Sequence, residues 1–121
     1  MKIIGIGTDI IAVARVARLL SERGQTAQNK LFTDSEVEYC SRFVKSDERY
    51  AGRYAAKEAV AKALGTGFTG GVSFRDIEVI SQPDGSPQIL LHGKTAEIAR
   101  QKGVKSLSIS ISHESDYSVA F

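Results

Sequence analysis

Cysteine occurs only once in the 121 residues, as Cys40, so no internal disulfide braces the fold. Its place in an apolar helical pattern makes it a small core residue, and the chain fits a reducing compartment. Proline is almost as scarce: Pro83 and Pro87 are the two, and both frame the stretch PDGSP. Long apolar runs are missing too. Several isoleucines follow Lys2, but Gly5, Gly7 and Asp9 interrupt them and Arg15 and Arg18 come soon after. That pattern suits neither a signal peptide nor a membrane-spanning helix and points to the cytoplasm. Nor does one sign of charge dominate, because 16 Lys and Arg against 14 Asp and Glu leave a net charge of +2. A protein whose main partner is a nucleic acid carries a larger positive footprint, so an anionic ligand must be met locally here. With no repeat, linker or low-complexity tract, residues 1–121 read as a single domain, long enough to bury roughly two thirds of the surface of the unfolded chain.

What is present alternates between strand and helix signals. Residues 3 to 9, IIGIGTD, read as a strand with Ile4, Ile6 and Thr8 on one face and Gly5, Gly7 and Asp9 on the other. Two glycines in alternation weaken a strand and suggest that another backbone or a ligand comes close. The next segment has Val13, Val16, Ala17 and Leu20 at helical core spacing and stops by Gly24. Thr33 and Glu36 stand at the spacing of a capping box, announcing a second helix through Val37, Cys40 and Val44. KSDER at 45–49 is a polar break before an alanine-rich helix over 50–64, and GTGFTGG at 65–71 is a loop. DIEVI at 76–80 and QILLH at 88–92 pair as a hairpin around PDGSP, and a short helix over 94–102 ends at Gly103. In the last stretch Leu107, Ile109 and Ile111 alternate with serines, then HESD breaks the pattern before a strand through Val119. The fold class is α+β, a mostly antiparallel sheet packed against one long helix and shorter helices.

Chemistry concentrates at a few positions. At 100° per residue Ala51, Ala55, Glu58 and Lys62 fall in one stripe, so two charges share a row of small residues. The plainer reading is an i, i+4 ion pair on a solvated face, contributing about 0.3–0.5 kcal/mol. Asp9, at the end of the glycine-bearing strand, is either a cap for the following helix or, with Glu58, one of two carboxylates for a hard cation such as Mg²⁺. The GTG of Gly65, Thr66 and Gly67 allows close approach to phosphates, although a helix C-terminus disfavours an anion unless a cation or Lys62 compensates. It lacks the G-K-[ST] ending of a Walker loop. His113 shares the apolar phase of its strand but sits where the strand breaks, which leaves it a structural histidine or one that offers a ring nitrogen to a ligand. His92 has no comparable context, and the serine row lacks a nucleophile elbow.

GIGTDI near the start, FTDSE at 32–36, GRYAAKEAVAKALGTG at 52–67 and SISISHESDYSVAF at the end together resemble the holo-acyl-carrier-protein synthase family of phosphopantetheinyl transferases, in order and spacing across nearly the whole chain. The run from Gly52 to Gly67 is the most specific piece. The resemblance implies the 4′-phosphopantetheinyl transferase fold and transfer of the 4′-phosphopantetheine arm of coenzyme A to a serine of apo acyl carrier protein in fatty acid synthesis. The other product is adenosine 3′,5′-bisphosphate. Asp9 and Glu58 match the family's magnesium ligands, and Lys62 matches a lysine facing the same phosphates. Arg53, Gly65, Thr66, Gly67 and His113 match positions of coenzyme A contact, the last near the adenosine phosphate end. Either a metal-bound water or Glu58 takes the serine proton, and the sequence does not choose.

Members of this length look like homotrimers, which would set the sites between subunits. The carrier is acidic, and Arg15 and Arg18 stand clear of the apolar stripe as a dock, Arg15 without the i+4 acid that Arg18 has in Glu22. Two alternatives remain: the same transfer onto a polyketide or peptide synthase carrier, and a non-catalytic α+β module holding RNA or protein with a strand face and Arg15, Arg18 and Arg23.

Overall fold

A computed structural model describes residues 2–121. Strand β1 (Asp9–Ala12) runs straight into helix α1 (Val13–Leu31); then come α2 (Asp34–Ser41), α3 (Ser46–Leu64), β2 (Ile77–Ser81), β3 (Pro87–Leu91), α4 (Gly93–Gln101), β4 (Ile111–His113) and β5 (Tyr117–Ala120). Every strand pairing is antiparallel, but the strands form two sheets rather than one: a three-stranded sheet in the order β1-β5-β4, and the hairpin β2-β3. Among the described residues no helix is long and apolar enough to cross a membrane.

Helix α3 is the centre of the molecule. Eleven of its nineteen residues are buried, six of them alanine or glycine, so it is covered on nearly all sides and neighbouring backbones approach closely. The closest is the N-terminal segment. Residues 2–8 are not a strand, because the backbones of Gly5 and Gly7 lie directly on the Ala63 and Ala59 carbonyls of α3 instead of pairing with a neighbouring strand. The alternating glycines therefore do mark a close approach, and the partner is backbone. A methyl group at Gly7 would overlap the Ala59 carbonyl oxygen, which belongs to a rigid helix. Gly7→Ala is expected to destabilise the fold by about 3 kcal/mol or more, read as a lowered denaturation midpoint. An unchanged midpoint would show that the segment is not seated on α3.

Four further boundaries differ from the sequence reading. At Gly24 (φ 54°, ψ −135°) α1 kinks instead of stopping and continues to Leu31, where Ala27 and Leu31 re-enter the core. Helix α2 ends at Ser41, leaving Val44 fully exposed, and α3 already begins at Ser46 inside KSDER, its first turn carrying Asp47 and Glu48 where acids favour a helix N-terminus. Residues 104–110 are not strand, yet Leu107 and Ile109 pack on the core while Ser106, Ser108 and Ser110 are exposed, as the alternation predicts.

The capping box forms as expected: the Glu36 amide donates to Thr33 Oγ1 and the Thr33 amide to Glu36 Oε1 at 2.9 Å. Glu36 then does something the sequence does not announce. Its side chain is fully buried against Lys57, Nζ to Oε1 2.8 Å, and Oε2 accepts the Val79 amide. Lys57 Nζ also donates to the carbonyls of Phe74 and Ile77. All three ammonium protons are thereby satisfied, as a charge out of water requires, and the pair ties α2 and α3 to β2. Cys40 is fully buried beside this region and burial pushes its thiol up to about 12, as suits a core residue.

Candidate active site

Asp9 is the first residue of β1, and pairing of β1 with β5 fixes its position opposite Ala120. Glu58 and Lys62 follow each other by one turn on α3. The fold brings these three together, though not as the i, i+4 pair that local spacing suggests. Lys62 Nζ reaches across to Asp9 Oδ1 at 3.1 Å and to the Thr8 carbonyl at 2.9 Å. Glu58 is held above the usual carboxylate range, first by burial and then by the neighbouring Asp9 charge, against the pull of the Tyr54 hydroxyl, Lys62 and Arg15. Two carboxylates thus lie close enough for their charges to interact, with a lysine bonded to Asp9 beside them. That donor set fits Mg²⁺, which takes one or two carboxylates from a protein and completes its shell with water and phosphate oxygens. Among the described residues no third His, Cys, Asp or Glu joins them.

Tyr54 was not singled out by sequence, although its i−4 spacing from Glu58 is a readable signal. Its ring stacks on Phe74 (5.3 Å between centroids), which stacks on Phe68 from the glycine loop (3.8 Å). In that loop Gly65 caps α3 in the left-handed region (φ 79°), as a helix-ending glycine does. The Gly65 and Gly67 amides donate to the Lys62 and Ala61 carbonyls, and Thr66 Oγ1 donates to the Gly67 carbonyl. Arg15 and Arg18 are exposed on α1, and among the described residues neither forms an ion pair.

Arg53 and His113 lie elsewhere. From Glu58, Arg53 is five residues back along α3, about 7.5 Å along the axis and 140° around it. His113 is on β4, the edge of the sheet opposite β1, with Asp9 on the same α3-facing side but about 12 Å away by strand spacing and stagger. These two residues border a cavity with Tyr39, Glu48, Arg49 and Ile111. Arg53 is buried, its guanidinium 4.1 Å from the Tyr39 ring centroid, with Nη2 donating to Ser81 Oγ and Nε without a partner. Arg49 lies 4.0 Å over the Phe43 ring, and Lys45 borders the adjoining hollow. Neither guanidinium has a carboxylate partner among the described residues, so the cavity is cationic and suited to an anion. His113 Nδ1 meets Glu48 Oε1 at 3.2 Å. That contact spans 65 residues, and nothing local in the sequence signals it. His92, by contrast, pairs with Glu78 of the hairpin at 2.9 Å.

The 4′-phosphopantetheinyl transferase superfamily model matches residues 5–121. The holo-[acyl-carrier-protein] synthase of Hydrogenovibrio crunogenus is 46% identical over 119 residues, covering 98% of this chain and 94% of its own. The crystal structure of the Neisseria meningitidis holo-[acyl-carrier-protein] synthase superposes with a TM-score of 0.90 at 36% identity, over 98% of this chain and 95% of that one. The Helicobacter pylori synthase, solved in complex with coenzyme A, superposes with a TM-score of 0.83 at 33% identity, over 95% of each chain.

Proposed function

The chain belongs to the 4′-phosphopantetheinyl transferase superfamily, and on that premise we propose that it moves 4′-phosphopantetheine from coenzyme A to a serine of apo acyl carrier protein, leaving adenosine 3′,5′-bisphosphate. The observation that carries this reading is the meeting of Asp9, Glu58 and Lys62 at the β1 end of α3, in a chain 46% identical to a holo-[acyl-carrier-protein] synthase. Residues 1–121 act as one transferase domain, in the cytoplasm, and the carrier is that of fatty acid synthesis.

Attack of a hydroxyl on a pyrophosphate needs the phosphate charge screened and the reacting groups held in line, so positioning and electrostatics dominate. Asp9 and Glu58 would hold Mg²⁺, which supplies charge screening for the pyrophosphate when bound. Lys62, half exposed, is free to turn from Asp9 toward a phosphate oxygen, and Gly65, Thr66 and Gly67 border the same end of α3. Arg53 and His113 take the phosphate at the nucleotide end. Release of adenosine 3′,5′-bisphosphate in step with loss of apo carrier, halted by a chelator and restored by Mg²⁺, tests the reading. Release that continues unabated in the chelator would remove the metal from it.

The separation of the two clusters on one chain supports a homotrimer with sites between subunits. So does the outer face of the three-stranded sheet, where Ile10, Tyr117 and Val119 are exposed apolar residues beside an exposed Phe121. Glu58→Gln chains, which lack the carboxylate, and His113→Ala chains, weakened toward coenzyme A, are expected after co-refolding to recover more activity at low coenzyme A than either shows alone, since a mixed interface can take its intact half from each. No recovery would place each site within one chain.

For the carrier, Arg15 is exposed yet close enough to the site to influence Glu58. Arg15→Glu is expected to raise KM for the acidic carrier and weaken the salt dependence of its binding, with KM for coenzyme A nearly unchanged. Equal losses for both substrates would assign Arg15 to the fold or the subunit interface.

A further inference from the structure

The cationic cavity holds one acid, and that acid is spent on the histidine. Glu48 stands in the first turn of α3, its side chain only 14% exposed, and His113 ends β4 with 31% exposure. The two meet at 3.2 Å through Nδ1, and the Ser118 hydroxyl, on the strand between β1 and β4, lies 3.4 Å from the Glu48 carbonyl. Glu48 is therefore pinned from its backbone as well as its side chain. A carboxylate accepts only, so this contact puts a proton on Nδ1 and fixes the plane of the ring. Nε2 is left as the ring's unpaired nitrogen among the described residues, in a cavity that also presents Arg53 and Arg49, with Lys45 alongside.

Resting on the reading that this cavity takes the nucleotide end of coenzyme A, we propose that Glu48 is a positioning residue. It holds the His113 imidazole by Nδ1 so that Nε2–H of the doubly protonated ring is aimed at the ribose 3′-phosphate, which can only accept. Glu48 touches no substrate itself, and its charge is offset by the three cations around it. Its effect on the ligand passes through the ring it orients, as an outer carboxylate orients a ligating histidine at other polar sites.

The test uses the full-length enzyme with two donors, coenzyme A and 3′-dephospho-coenzyme A. Glu48→Ala is expected to raise KM for coenzyme A about tenfold, the loss of one well-aimed bond to a charged group, with the loss in KM rather than kcat. KM for the dephospho donor should hardly move. Glu48→Gln keeps a side-chain oxygen that accepts from Nδ1–H, so it should recover most of the loss, and Glu48→Ala should add little to His113→Ala. A loss shared equally by both donors, or by the Ala and Gln variants alike, would reduce Glu48 to an acid at a helix N-terminus and overturn the proposal. A wild-type enzyme that binds both donors equally would overturn the phosphate assignment itself. One that discriminates while Glu48→Ala behaves normally would overturn the positioning role alone.

Discussion

Replacing Glu58 by glutamine is expected to lower turnover by at least about 10²-fold while leaving the melting temperature unchanged or slightly raised. Both halves follow from where the carboxylate sits. Its ordinary value is pushed up by burial and then by Asp9, so the folded protein holds a proton there more readily than the unfolded chain does. A group shifted in that direction costs stability above the shifted range, and the cost fades as pH falls through it. Glutamine removes the charge at every pH, so at neutral pH the fold loses nothing. On the proposed reading, function loses one of the two charged oxygens offered to the cation. Steady-state kinetics with scanning fluorimetry reads both quantities at once. Near-normal turnover at ordinary magnesium concentrations would make Glu58 a partly buried surface carboxylate and no more.

Lys57→Met, one residue away, is expected to do the opposite: to cost roughly 3–5 kcal/mol of stability, and to lower activity only because less protein is folded. Lys57 is fully buried and its charge serves Glu36, Phe74 and Ile77. Removing it strands the Glu36 carboxylate with no cation, which is far more costly than the net contribution of the pair. The double variant Glu36→Gln with Lys57→Met should therefore be more stable than Lys57→Met alone, and urea denaturation of the three proteins measures the difference. A single variant as stable as wild type would mean that Glu36 is adequately held by the Thr33 and Val79 amides.

Adjacent lysine and glutamate in K-E-A thus have separate duties, and that division was not legible in the sequence. The stripe argument finds Glu58 and Lys62 because it looks along one helix, and local rules find the Thr33 capping box, the PDGSP hairpin and the stop at Gly103 for the same reason. The Lys57–Glu36 pair joins residues 21 apart, and Glu48–His113 joins residues 65 apart, on different elements. Hydrophobic periodicity says nothing about which polar residues go inside together. The glycines of GIGTD signal a close approach but not that its partner is a helix, so the sequence reads as a strand where an unpaired segment lies on α3. Asp9 and Glu58 were named from chemistry and resemblance; that Lys62 bonds to Asp9 rather than pairing with Glu58 needed the fold.

The central claim is that this chain loads carrier proteins from coenzyme A at the Asp9 and Glu58 site. Intact-mass spectrometry of apo acyl carrier protein, incubated with the enzyme, coenzyme A and Mg²⁺, tests it most directly. The account predicts a gain of one phosphopantetheine group with wild-type enzyme and none with Glu58→Gln over the same time. Apo acyl carrier protein and several polyketide or peptide synthase carriers, all left at their starting mass by the folded wild-type protein, would contradict it.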